Sequence, residues 1–200
     1  MYPTREEAER LLVEAEECNP GPWDDHSRVV AHCAEEIAKR CGMDSEKAYV
    51  LGLLHDIGRK YGKRHLGHVS DGYSYMMSLG YDEVARICLS HSFNEHDLDQ
   101  YIGNFDTSEE ETKLIREGLD AMEYDDYDLL IQLCDAIGGA EGVVDMALRM
   151  EDVKSRYGAY PQEKWDKNMW LKNYFERKMG EDLYIAVDKE NYRPVKGGNV

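Results

Sequence analysis

The chain has 200 residues, of which 42% are hydrophobic and 32% charged, a composition typical of one globular domain. No apolar run approaches the roughly 20 residues that cross a bilayer, so we expect no membrane span. The 41 acidic and 24 basic residues give a formal net charge of −17, which repels the phosphates of DNA or RNA and argues against a nucleic-acid polymer as partner.

Two further features predict a cytoplasmic protein. The N-terminal segment MYPTREEAERLL is polar and acidic, unlike a signal peptide. The five cysteines form no CxxC pair, and Cys33, Cys88 and Cys134 have apolar neighbours. This pattern is typical of reduced thiols packed in a core, so we expect neither a disulfide framework nor a cysteine zinc site.

Apolar residues recur every three or four positions along nearly the whole chain, and no convincing alternating strand occurs, which predicts an all-α protein. Thr4 with Glu7 predicts a capping box, as does Ser108 with Glu111. The predicted helices run from Thr4 to the break at Asn19–Pro22, and then over about Trp23–Cys41, Asp44–Gly58, Val69–Leu79, Asp82–Ser92, Ser108–Met122, Leu129–Ile137, Val143–Met150 and Gln162–Met179. Residues 93–107 are predicted to be a loop, residues 123–128 an acidic turn and the last dozen residues a poorly ordered tail.

Polar residues interrupt several apolar helix faces. His26, His55 and His91 share faces with small or apolar residues, and Asp135 stands inside the segment LLIQLCDAI. A lone buried histidine is usually a hydrogen-bonded core residue, but that explanation would have to be repeated for three histidines and for Asp56 and Asp135. One metal ion accounts for the whole set, because imidazoles and carboxylates bind divalent transition metals and the cation compensates the buried acids.

A resemblance to a known family makes this interpretation specific. His26-Ser27, the block LLHDIGR at 53–59 and Asp135 resemble the H…HD…D signature of the HD metal-dependent phosphohydrolase superfamily. The resemblance covers roughly residues 23–140 and implies an all-α, HD-type helical bundle. It also implies that one divalent metal is held by His26, His55, Asp56 and Asp135. We expect a single domain over 1–200, with the HD core at 23–140 and a C-terminal helical extension at 141–185.

Two more histidines, His68 and His91, lie between Asp56 and Asp135. Their order resembles the H…HD…H…H…D pattern of HD proteins that hold two metals, in particular bacterial members that hydrolyse dinucleoside polyphosphates. The resemblance implies that Asp56 bridges the two metals and that His68 and His91 complete the second site.

His65 is the rival of His68 as a ligand; His68 is favoured because Gly72 and Tyr73 follow it in a family-like arrangement. The sequence departs from the two-metal subgroup after His91, where its loop reads NEHDLDQYIGNFD and the final aspartate lies farther downstream. This departure leaves the substrate and the number of ions, one or two, open.

The expected chemistry follows from the ligands. A divalent ion (Fe, Mn, Ni, Co, Zn or Mg) lowers the pKa of its water from about 15.7 towards 7 and so provides a nucleophile at neutral pH. Asp56 and Arg59 are the expected catalytic residues, with Arg59 placed to neutralise a phosphate oxygen; an exposed helix-end cation is the alternative interpretation of Arg59. Lys60, Lys63 and Arg64 are candidate helpers, with solvent-exposed cations as the alternative interpretation. His32 is expected either at the surface or directly behind the ligands, and His96 is expected in a solvent-facing loop.

The leading hypothesis is a metal-dependent phosphohydrolase that acts on a small phosphorylated metabolite, with a nucleotide as the first choice. Two alternatives belong to other classes. One is a di-iron HD-type oxygenase, which uses the same ligand set to cleave C–C or C–P bonds. The other is a non-catalytic nucleotide or metal sensor.

Overall fold

The computed structural model describes residues 1–195, which are mostly α-helical, as the sequence predicts. The helices are α1 (Arg5–Cys18), α2 (Trp23–Cys41), α3 (Ser45–Leu54), α4 (Gly67–Ser78), α5 (Asp82–Ser90), α6 (Glu109–Ala121), α7 (Asp126–Ile137), α8 (Met146–Tyr157), α9 (Gln162–Met179) and α10 (Leu183–Ala186). Two 3-10 helices span Ile57–Tyr61 and Leu98–Gln100. Strands β1 (Gly138–Gly139) and β2 (Gly142–Val143) form a small antiparallel hairpin that the periodicity did not predict.

Side-chain caps fix where most helices begin. The capping box of α6 is complete: the Ser108 hydroxyl accepts from the Glu111 N–H, and the Glu111 carboxylate accepts from the Ser108 N–H. The box predicted at Thr4 is only half correct. The Thr4 hydroxyl accepts from the Glu7 N–H, but the Glu7 carboxylate pairs with Arg10 instead.

Several predicted boundaries are wrong: the helix predicted to end at Met150 continues to Tyr157, and the loop predicted at 93–107 contains the 3-10 helix Leu98–Gln100. Three other differences have a local reason. Helix α7 begins at Asp126 rather than Leu129, because Asp125 caps it and the acidic turn belongs to its first turn. Residues 142–143 lie in the hairpin, so α8 starts only after its cap Asp145. The third helix ends at Leu54, and the chain tightens into a 3-10 helix after Asp56.

The tail predicted to be poorly ordered is anchored as far as it is described. The Tyr192 hydroxyl donates to the Arg28 carbonyl oxygen at 3.3 Å, and its ring stacks on His32 with 3.5 Å between centroids. His32 is half-buried and its Nε2 lies 3.0 Å from the Val187 carbonyl oxygen, so the surface, one of its two expected positions, is wrong. Residues 196–200 lie outside the described part of the chain.

Helix α2 lies at the centre of the bundle, against α3, α7 and α9. The main hydrophobic cluster extends from α1 to the segment after α10 and includes Leu12, Ile37, Leu54 and Phe175. A smaller cluster joins α4, α5 and α6. All five cysteines are free thiols, as predicted. None of the helices within residues 1–195 combines the length and apolar character of a membrane span.

Glycine permits a close backbone approach beside the HD block. A Cβ on Gly58 would lie 2.0 Å from the His68 carbonyl oxygen and 2.5 Å from the Gly72 nitrogen. The first 3-10 helix therefore touches α4 at a distance that no other residue allows. This contact sets His68, on the first turn of α4, opposite Asp56.

We expect Gly58→Ala to lower the free energy of unfolding by about 1–3 kcal/mol or more, because its methyl group would meet backbone that cannot rotate away. Gly118→Ala in α6 is the matched control, since its methyl would meet only the movable Leu89 Cδ1. The control should stay within about 1 kcal/mol of the wild type. Urea denaturation measures both variants, and equal stability would contradict the close approach.

Candidate metal centre

Five helical segments bring together the six side chains that the sequence predicts as metal ligands. His26 lies in the first turn of α2, and the pair His55-Asp56 follows α3 directly. The other three lie on α4, at the end of α5 and in the last turn of α7; they are His68, His91 and Asp135. Residues that are up to about a hundred positions apart in the sequence therefore lie close together in space. We call these six side chains the His–Asp cluster.

One half of the cluster is formed by His26, His55 and Asp135. His26 Nε2 lies 3.1 Å from Asp135 Oδ1, and His55 Nε2 lies 4.0 Å from the same oxygen. The ligand atoms of these three residues all lie within 4.8 Å of one another. Such a group can face a single cation.

The other half is formed around Asp56. Its Oδ1 lies 3.1 Å from His68 Nε2 and 3.6 Å from His91 Nε2, and the two ring nitrogens are 3.3 Å apart. Two ligands that are each about 2.1 Å from one cation lie roughly 3.0–3.5 Å apart. His55 joins the halves, because its Nε2 is also 3.9 Å from Asp56 Oδ2.

All four imidazoles have the same orientation. Each Nδ1 faces a backbone carbonyl oxygen: that of Gly138 for His26, Gly52 for His55, His65 for His68, and both Ile87 and Cys88 for His91. A carbonyl oxygen only accepts hydrogen bonds, so each Nδ1 carries the proton and each Nε2 presents a lone pair to the cluster. Backbone acceptors of this kind orient metal-binding histidines.

Two buried atoms in the cluster have no hydrogen-bond partner within residues 1–195, namely His55 Nε2 and Asp56 Oδ1. Buried polar atoms are normally satisfied, so an acceptor pair of this kind needs a cation. The donor set of neutral imidazoles and carboxylates fits a divalent transition metal. The residues present therefore fit the metal.

The charge states support the same conclusion. Burial lowers the pKa of His55 and of His68, and lowers that of His91 to about 4, so these rings are neutral at pH 7. Burial opposes ionisation of Asp56, but the Arg59 guanidinium beside it holds its pKa well below the usual range. The pKa of Asp135 is also lowered, against its burial, chiefly by the adjacent His26 ring.

The predicted cationic residues have different surroundings. Arg59 Nε donates to Asp56 Oδ2 at 2.5 Å, so this arginine contacts a carboxylate of the cluster and also lines the adjacent cavity. Arg64 pairs with Asp71 and Glu111, each at 2.8–2.9 Å. Lys60 lies over the Tyr75 ring, 3.8 Å from its centroid, while Lys63 lines the cavity.

Two other histidines lie outside the cluster. His65 lines the cavity, and its carbonyl accepts from the His68 ring. His96 was expected to face solvent, which is wrong: it is half-buried, stacks on Tyr124 and faces the Leu119 carbonyl.

The cavity beside the His–Asp cluster has a volume of about 730 Å³. Helices α8 and α9 form part of its wall, and this part includes Arg149 and Lys164, which sequence analysis missed. A signal for Lys164 was present, since it shares a stripe with Asn168, Leu171 and Phe175 at offsets of four, seven and eleven. His26 has apolar or small residues at the same offsets, namely Val30, Cys33 and Ile37.

The fold is a helical bundle, and five of its segments place histidines and aspartates around one site. This arrangement is typical of helical metal-binding proteins. The family model described as HD domain matches residues 23–139, more than half of the chain. The chain therefore belongs to the HD domain family, whose members are mostly metal-dependent hydrolases and whose domains bind divalent metals. A comparison with solved structures finds no match.

We expect His68→Ala and His91→Ala each to reduce the bound metal from two equivalents towards one, because both rings face Asp56 Oδ1. His55→Ala or Asp56→Ala should remove metal from both halves. His96→Ala is the control with unchanged metal content, since its ring lies away from the cluster. Elemental analysis of purified protein measures the stoichiometry, and two equivalents retained in both His68→Ala and His91→Ala would mean that the second half is assigned wrongly.

Proposed function

We propose that this protein is a metal-dependent phosphohydrolase that acts on a small phosphorylated metabolite, with a nucleotide as the expected substrate. The observation that carries the proposal is the charge of the cavity beside the His–Asp cluster. The chain as a whole is acidic, with a net charge of −17. The cavity wall, in contrast, contains more basic than acidic side chains.

Six basic side chains line this cavity, against two carboxylates that both belong to the His–Asp cluster. The basic residues are Arg59, Lys63, Arg64, Arg149, Arg156 and Lys164. A cationic cavity in an acidic protein attracts a compact anion and concentrates it at the metal ligands. Arginine and lysine are also the side chains that bind phosphate oxygens best.

The size and the remaining wall favour a small molecule. The volume of about 730 Å³ falls within the usual range for small-molecule sites, about 300–1,000 Å³. Trp23, Tyr101, Tyr157 and Tyr160 also line the cavity and provide aromatic surface for a nucleobase. The net negative charge argues against a nucleic-acid polymer.

The residues of the His–Asp cluster would hold one or two divalent ions, and we propose two, with Asp56 shared between the halves. When bound, such ions lower the pKa of a water molecule and neutralise charge on a phosphoryl group. The chain's own residues then have separate tasks. The backbone carbonyls fix the four imidazoles, and Arg59 orients Asp56 while offering positive charge to the substrate phosphate.

We further propose that residues 1–200 act as one domain, in which 23–140 is the HD core and 141–185 an extension that completes the cavity. Helix α9 supports this arrangement, because Leu171 and Phe175 belong to the main hydrophobic cluster. A cytoplasmic location suits the five free thiols.

Phosphate release from a panel of nucleotides and phosphate esters, with Mn, Fe, Co, Ni or Mg, tests the function. We expect turnover by the wild type, loss of turnover in Asp56→Ala and unchanged turnover in His96→Ala. No release with any metal, from folded and metal-loaded protein, would refute the phosphohydrolase. Oxygen uptake by the iron-loaded protein in place of phosphate release would indicate the oxygenase chemistry instead.

Arg59→Gln tests the proposed role of the arginine. We expect kcat/KM to fall about 10²-fold, the usual effect of removing a preorganised donor, with metal content measured in parallel. Lys60→Gln is the matched control, because this neighbouring cation lies over Tyr75 and should leave kcat/KM within about twofold. Equal kcat/KM values for the two variants would show that Arg59 does not contribute to turnover.

A further inference from the structure

Helix α9 brings a lysine next to the His–Asp cluster from outside the segment that matches the family. Lys164 lies on α9, beyond the matched residues 23–139. Its Nζ donates to the Ser92 carbonyl oxygen at 2.7 Å, and Ser92 directly follows the cluster residue His91. Both Lys164 and Ser92 line the cavity.

Buried polar contacts fix this part of α9 in place. Asn168, one turn after Lys164, accepts through Oδ1 from Asn94 Nδ2 at 2.9 Å. Its own Nδ2 donates to the Tyr160 hydroxyl at 2.8 Å. Asn94 belongs to the segment that follows α5, so these bonds join the start of α9 to the end of the helix that bears His91. The lysine is therefore held in a fixed relation to the cluster.

The positive charge of Lys164 has no carboxylate partner among residues 1–195 at ion-pair distance, and the lysine's hydrogen bond goes to a neutral carbonyl. The other half-buried cations differ: Arg59 pairs with Asp56, and Arg64 pairs with Asp71 and Glu111. Burial lowers the pKa of Lys164 to about 8, although the Asp135 carboxylate opposes the shift. A desolvated ammonium without an anionic partner is unfavourable, so the surroundings suit an anion supplied from outside.

An ammonium group has three N–H donors, and the bond to Ser92 uses one. The other two are free to bind oxygens of a ligand in the cavity. Lys63 also lines the cavity but is exposed and hydrated, so it gains less from an anion.

We propose that Lys164, which lies on α9, binds the substrate phosphate at the His–Asp cluster. The inference rests on the proposed function and adds a binding residue from outside the HD region. The ligand group is a phosphate oxygen, held by a charge-assisted hydrogen bond in a cavity that shields it from solvent.

Calorimetric titration of metal-loaded protein with inorganic phosphate tests the inference without knowledge of the substrate. We expect Lys164→Met to weaken phosphate binding about 10–100-fold, the usual effect of losing a hydrogen bond to a charged group. Lys164→Arg, which keeps the charge, should bind within about fivefold of the wild type. Metal content should be the same in all of these proteins.

Lys167→Met is the matched control on the same helix. Lys167 lies over the Trp170 ring, 4.5 Å from its centroid, and pairs with Glu95 at 3.4 Å, away from the cavity wall. Its phosphate affinity should equal that of the wild type. If Lys164→Met loses its helical circular dichroism, Lys164→Gln replaces it, since an amide keeps a donor for Ser92 but removes the charge.

Phosphate affinity that is unchanged in the folded Lys164 variant, or absent in the metal-loaded wild type, would overturn the inference. The phosphate-release panel decides the proposed function separately. Lysine-dependent phosphate binding without any hydrolysis would support the anion site and refute the phosphohydrolase. Hydrolysis by the wild type, together with normal phosphate affinity in Lys164→Met, would support the phosphohydrolase and refute the anion site at Lys164.

Discussion

The structure depends on one electrostatic constraint: four imidazole lone pairs and two carboxylates converge on one largely buried point. His68 Nε2 and His91 Nε2 are 3.3 Å apart, and each faces Asp56 Oδ1 within 3.6 Å. All these atoms are acceptors, because the ring protons are committed to backbone carbonyls. Acceptors at such distances repel one another unless positive charge lies among them. A divalent cation between these atoms would supply the positive charge. Arg59 supplies positive charge to Asp56 Oδ2 but not to Oδ1, which faces the imidazoles.

The backbone around the cluster orients its histidine rings and allows the helices to pack closely. His55, His68 and His91 each direct Nδ1 to a carbonyl three or four residues earlier, so their helical turns orient the rings. Gly52 and Gly58 let neighbouring backbones approach: a Cβ on Gly52 would lie 2.9 Å from Ala31 Cα. The fold thus brings these six side chains together by close helix contacts.

The sequence predicted the all-α class, most helix positions and the six side chains that meet in the cluster. The prediction worked because a polar residue within an apolar stripe is visible from spacing alone. Predicted helix boundaries were wrong at two kinds of place. Near Asp125 several neighbouring acids could each cap the helix, and at residues 138–143 glycines form a hairpin that the periodicity does not indicate. The anchoring of Tyr192 on His32 could not be foreseen, since stacking between distant segments leaves no periodic signal. The position of Lys164 beside the cluster could not be predicted, because spacing along α9 does not show which part of the bundle that helix packs against.

Anomalous diffraction from crystals of the metal-loaded protein, recorded at the absorption edge of the bound metal, tests the central claim most directly. The account predicts anomalous density within about 2.0–2.3 Å of the cluster's ligand atoms, with Asp56 touching two peaks. Strong peaks elsewhere on the protein, with none between the Nε2 atoms of His26, His55, His68 and His91, would contradict it.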